Sequence, residues 1–162
     1  MSLNDITPNS IMEQPSQSTR NESDCEVQLY NGLSKDEILR YDGAIDTLFA
    51  KGRRGSVMPI RYVWRVNQET EQEGKQRESC VGEVRVLFSV PKKFFKRANK
   101  RNLLRRRMKE SFRQAKHALR QRAKEQGVGI DIALIYSTKE VSDYTIVNNA
   151  VCRILEQIRE RL

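Results

Sequence analysis

Lysines, arginines and an asparagine crowd one stretch of this 162-residue chain, and side chains of that kind hold phosphate. Residues 92–124 carry half of the chain's 30 lysines and arginines and a single acid, Glu110. Such groups bind polyanions through forked guanidinium contacts and counterion release. Groups that make and break bonds are scarce. His117 is the one histidine, so a histidine pair for general acid–base hydrolysis is excluded, and the carboxylates are scattered rather than clustered for two metal ions. Asp131, at the start of an apolar run, is the best-placed carboxylate, with a turn role as the competing reading. Cys25, Cys80 and Cys152 are odd in number, far apart and without a C-x-x-C, so neither a disulfide framework nor a thiolate metal site is expected. No catalytic and no metal-binding residue is assigned.

The cations need a helix to present them. Leu104, Met108, Ser111, Phe112, Ala115 and Leu119 recur at helical spacing, a stripe that docks the helix on a core. At about 100° per residue, Asn102, Arg105, Arg106, Lys109, Arg113, Lys116 and Arg120 share one arc beside that stripe. A merely solvated face would mix signs and use Glu–Lys pairs four apart. This arc has almost nothing to neutralise it, which points to a nucleic-acid backbone. A DNA reader would usually dimerise through heptads, and none are present. Nucleic acid is therefore the expected partner, and a plain binding protein, a ribosomal or other structural RNA-binding protein or a basic-helix DNA binder, is the class that competes with a processing role.

From Ser89 to Arg113 the chain reads SVPKKFFKRANKRNLLRRRMKESFR. This resembles the signature of the bacterial ribonuclease P protein subunit, in which a strand ending in S-V-x-K-K precedes a helix carrying K-R-N-x-x-K-R-x-x-R-E-x-F. Lys100, Arg101 and Asn102 stand at the core of that motif, Arg105 and Arg106 at its basic pair, and Lys109 at its following arginine. Glu110 and Phe112 match directly, while Leu103 replaces a third basic residue. The resemblance runs from about Leu33 to Leu162. It implies that Lys100, Arg101, Asn102, Arg105, Arg106, Lys109 and Arg113 face a catalytic RNA. That RNA would hold the Mg2+ ions and perform the hydrolysis that removes the 5′ leader of precursor tRNA. The protein would join catalyst to substrate.

The same resemblance implies a cleft between the sheet and the first helix for the single-stranded leader. Tyr62 and Trp64 share one side of a strand by alternation and are candidates to stack bases; the competing reading packs them under the first helix. Phe49 is a further candidate. Ile45 stands where some members carry a leader-contacting phenylalanine. Arg61, Lys92 and Lys93 are candidates for leader phosphates.

Residues 1–32 are rich in Ser, Asn, Gln and Pro and read as a disordered tail preceding one domain at 33–162. Residues 1–50 hold nine acids against three basic residues, so the remainder carries more than the net charge of +9. No segment reads as a membrane span or a signal peptide, and a cytoplasmic location is expected. Ser34 with Glu37 reads as a capping box, with Leu33 and Ile38 as its staple. The box opens a helix with Ile38, Tyr41, Ile45, Leu48 and Phe49 inward, ended by Gly52. Residues 60–66 and 80–90 read as strands of an antiparallel hairpin around a long mobile loop from Asn67, with a short extra strand near Ser56. The basic helix from about Phe95, a strand at 130–136 and a helix from about Asp143 follow. The last helix turns Ile146, Val147, Ala150, Val151, Ile154, Leu155 and Ile158 inward. The order α-β-β-α-β-α implies an α+β two-layer sandwich with a mostly antiparallel sheet. The family resemblance adds a left-handed crossover around the basic helix.

Overall fold

The computed structural model describes residues 32–67 and 82–162. The expected tail, Gly32 apart, lies outside them, as do Cys25, Cys80 and the expected loop beyond Asn67. Seven elements follow in order: α1 (Asp42–Lys51), β1 (Arg53–Val57), β2 (Ile60–Asn67), β3 (Val84–Ser89), α2 (Ala98–Gln126), β4 (Gly129–Tyr136) and α3 (Tyr144–Glu160). Three helices and a four-stranded sheet make the mixed α+β fold expected from the sequence.

The sheet runs β1-β2-β4-β3, with β1–β2 and β2–β4 antiparallel and β3–β4 parallel. The expected hairpin between β2 and β3 is absent, because β4 lies between them. β4, reading GIDIALIY, is buried at nearly every position, so it takes a central place with both faces covered. A parallel neighbour requires a crossover, and α2 supplies it between β3 and β4. The hairpin is instead β1–β2, turning at Met58–Pro59.

Strand alternation divides the core. On one face Ile60, Tyr62, Trp64, Val86, Phe88, Ile132 and Leu134 pack with the apolar stripes of α2 and α3. On the other, Val63 and Ala133 pack with Leu39 and with Leu48 of α1. The α2 stripe is as expected: Leu104, Met108, Ser111, Phe112 and Leu119 are buried, and Gly127 ends the helix in a left-handed conformation (φ 66°). In α3, Ile146 is half exposed and leaves the predicted inward set, whereas the other six residues are buried.

The first helix starts later than the capping box predicts. The Ser34 N–H donates to Glu37 Oε2 at 2.8 Å, so half of the box forms, but it closes a single turn. The chain then lies against the edge strand β3: the Val86 N–H donates to the Glu37 carbonyl (2.7 Å) and the Leu39 N–H to the Val86 carbonyl (3.0 Å). Pairing with an exposed sheet edge competes successfully with helix here, and α1 begins at Asp42.

Candidate RNA interface

Helix α2 is held firmly from below. The Phe112 ring meets Phe88 edge-on at 5.9 Å, Ser111 Oγ donates to the Arg107 carbonyl at 2.8 Å, and the Arg107 guanidinium donates to the Ser142 carbonyl. The outer arc is thereby presented on a rigid element, but its members differ. Lys100, Asn102, Arg105, Arg106 and Lys109 are exposed, and their side chains make no hydrogen bond or ion pair among the described residues. Arg101 turns back and donates through Nη1 to the carbonyls of Phe95 (2.8 Å) and Lys96 (2.7 Å), bracing the turn that enters the helix.

Arg113 is paired with Glu110 at 2.7 Å. The hydrogen bond from Arg113, joined by one from Gln114, pulls the Glu110 carboxyl down from 4.5 to about 2 and raises Arg113 further above its already high value. Lys116, placed on the arc by its angle, is instead 1% exposed. Its ammonium donates to both Glu37 carboxylate oxygens, at 2.7 and 2.8 Å, and to the Gly32 carbonyl. It sits at the border of the apolar stripe, where the segment before α1 covers the helix and supplies the carboxylate that makes burial of a charge tolerable.

The second predicted surface needs a larger correction. Tyr62 and Trp64 face α3, not α1, and neither offers a free ring face. The Tyr62 hydroxyl donates to Gln157 Oε1 at 2.8 Å, and its ring lies over Gly55, where any Cβ would collide with it. Trp64 is 1% exposed, with the Arg53 guanidinium 5.4 Å from its ring centroid. A base-stacking role for either ring is therefore withdrawn, as is packing under the first helix. Alternation alone could have exposed the inconsistency, because Arg61 must point to the opposite side from Tyr62 and Trp64.

That opposite side is the α1 face. Arg61 is exposed there, in register with Ser56, Ile135 and Ser89 across the sheet. Phe49 is half-buried against the same apolar patch as Val63, and its carbonyl accepts a hydrogen bond from Arg54 Nη2 at 3.0 Å. Lys92 and Lys93 are exposed a few residues beyond the end of β3, whose last residue, Ser89, lies two strands, about 10 Å, across from Arg61. Arg61 and Phe49 therefore share the α1 face, while Lys92 and Lys93 follow the strand end that is level with Arg61. Sequence reasoning passed over Arg54 and Val63, although both follow from the parity of Arg61 once β1 is paired in register.

Asp131 is neither a turn residue nor an available acid. It is 3% exposed within β4, and Arg85 Nε and Nη2 donate to its two oxygens at 2.7 and 3.0 Å. Among the described residues no three His, Cys, Asp or Glu side chains gather as metal ligands, and no helix is long and apolar enough to cross a membrane.

A docked α+β domain whose helix displays Lys100, Arg105, Arg106 and Lys109 without an ion pair among the described residues belongs to the class of polyanion-binding proteins. The ribonuclease P family profile matches residues 33–159. The ribonuclease P protein component of Porphyromonas gingivalis is 34% identical over 127 residues, 78% of this chain and 86% of that one. That of Chlorobium phaeobacteroides is 31% identical over 138 residues, covering 80% and 89%. Among solved structures, the ribonuclease P protein from Thermotoga maritima superposes with a TM-score of 0.54 at 23% identity, over 75% of this chain and 96% of that one. A Staphylococcus aureus ribonuclease P protein mutant with defective mRNA degradation activity gives 0.59 at 16%, over 77% and 90%. The chain belongs to the ribonuclease P protein family, and its role is in tRNA 5′ processing together with an RNA subunit.

Proposed function

We propose that this protein is the non-catalytic partner of a catalytic ribonuclease P RNA, which it holds with the outer arc of α2, while the α1 face of the sheet takes the 5′ leader of precursor tRNA. The observation that carries the reading is the set Lys100, Arg105, Arg106 and Lys109, exposed and without a hydrogen bond or ion pair among the described residues, on a helix whose other side is locked into the core. Arg61, Lys92 and Lys93 then meet leader phosphates, with Phe49 at the margin of the apolar patch. The described residues offer no metal-ligand cluster. Mg2+ then belongs to the RNA and the substrate, bond cleavage to the RNA, and the assembly to the cytoplasm.

Reconstitution tests it. Mixed with a bacterial ribonuclease P RNA at low magnesium, the protein is expected to restore cleavage of precursor tRNA at the mature 5′ end. Binding to that RNA without restored cleavage would assign the chain to the structural RNA-binding class instead.

A further inference from the structure

At the end of the domain away from the start of α2, the ends of α1, β2 and α2 and the residues after α3 surround a cleft of about 440 Å3. Lys51, Arg53, Arg65 and Arg161 line it, and among the described residues no aspartate or glutamate does. None of the four makes an ion pair among the described residues; Arg53 meets only the Trp64 ring. Like charges converging on a concavity repel one another and focus a positive field into it, an arrangement relieved by a bound anion.

Trp64 forms part of the wall. Its indole N–H is buried and has no acceptor among the described residues, a condition rare enough in folded proteins to require a cause. Its ring is covered and capped by Arg53, so the cleft offers no surface on which a base could stack. Guanidinium and ammonium groups without an open aromatic face suit phosphate rather than nucleobase. Gln126, on the cleft wall, lies 17 residues beyond Lys109, the last arc member without an ion pair among the described residues, about 25 Å at 1.5 Å per residue, so one phosphate cannot bridge the cleft and that unpaired part of the arc.

We propose that this cleft is a second phosphate site, which clamps the RNA backbone at a point remote from the basic arc of α2. The inference rests on RNA being the partner. Two separated anchor points on one rigid body would raise affinity through effective concentration and fix the orientation of the RNA along α2.

The chain has one tryptophan, so the Trp64 indole N–H resonance is a single reporter on the free, full-length protein. Titration with inorganic pyrophosphate, and separately with a single-stranded oligoribonucleotide, is expected to shift that resonance saturably. Arg105→Glu with Arg106→Glu should leave the pyrophosphate response unchanged, whereas Lys51→Glu with Arg161→Glu should weaken it about tenfold, because two charge-assisted hydrogen bonds to phosphate are removed. Both sites in the second variant are exposed; Lys51→Gln with Arg161→Gln serves if the charge reversal disturbs folding, as judged by thermal unfolding. No saturable shift, or undiminished affinity in a folded cleft variant, would overturn the proposal. A shift with pyrophosphate but none with RNA would make this a free-anion site and overturn the RNA assignment. Failure of reconstitution, read on cleavage, would count against the function above and leave this titration intact.

Discussion

Glu37 and Lys116 are 79 residues apart in sequence, and the Lys116 ammonium bonds both Glu37 carboxylate oxygens, at 2.7 and 2.8 Å. The Glu37 carbonyl meanwhile accepts the Val86 N–H, so one residue ties the segment before α1 to α2 by its side chain and to β3 by its backbone. Glu37→Ala leaves a buried ammonium with only a carbonyl partner, and removing one member of a buried pair costs about 3–5 kcal/mol. Denaturant unfolding should show that loss. Glu37→Leu with Lys116→Met should recover much of it, and because Glu37 also holds the partly exposed Arg120 at 3.5 Å, RNA affinity of the folded variants should not fall.

Charge reversal at Arg105 and Arg106 should do the opposite. Both side chains are exposed and off the apolar stripe, so thermal unfolding should move little. Binding to the catalytic RNA should weaken, and the slope of log affinity against log salt should flatten by about 0.7–0.9 for each phosphate that is no longer neutralised. A steep fall in stability with unchanged affinity would make α2 a structural helix only.

What was legible in the sequence follows from which signals are local. The α2 stripe, Gly52 as the end of α1 and the α3 face depend on spacing within one element, and all but Ile146 of the α3 set are buried as read. Strand order was not legible, because β2 and β3 look like neighbours in sequence while β4, more apolar than either, separates them in the sheet. Lys116 failed for the same reason: its angle on the helix is local, but the carboxylate that allows its burial comes from a distant segment. The basic arc was legible because phosphate-binding side chains need no partner within the protein. Of the residues proposed for the leader, Arg61 and Phe49 share the α1 side and the two chosen aromatics do not.

Glu110 makes a pH prediction. Its carboxyl is held down at about 2, chiefly by the Arg113 hydrogen bond and then by Gln114, against an ordinary 4.5. A carboxyl depressed in the folded state contributes stability that is fully present above its unfolded value and disappears as pH falls through the folded one. The window is therefore about pH 4.5 down to 2. Carbon-13 titration should place the Glu110 carboxyl near the lower limit in the wild type and well above it in Arg113→Ala. At neutral pH Glu110→Gln releases Arg113 from its ion pair, and affinity for the catalytic RNA should rise.

Arg61→Ala and Trp64→Ala together separate the two faces of β2. Arg61 is exposed on the α1 face, opposite in parity to Trp64. If leader phosphates lie there, removing its guanidinium should raise the Michaelis constant for a precursor tRNA carrying several leader nucleotides. Affinity for mature tRNA, which has no leader, should stay near wild type, and unfolding should be unchanged. Trp64 is 1% exposed beneath α3, and truncating so large a core side chain costs about 3–5 kcal/mol. That variant should lose stability and depress precursor cleavage, mature-tRNA binding and catalytic-RNA binding together. Unfolding curves measured beside both tRNA affinities distinguish the cases. An Arg61→Ala protein that is fully folded and binds precursor and mature tRNA with wild-type discrimination would remove Arg61 from the leader path.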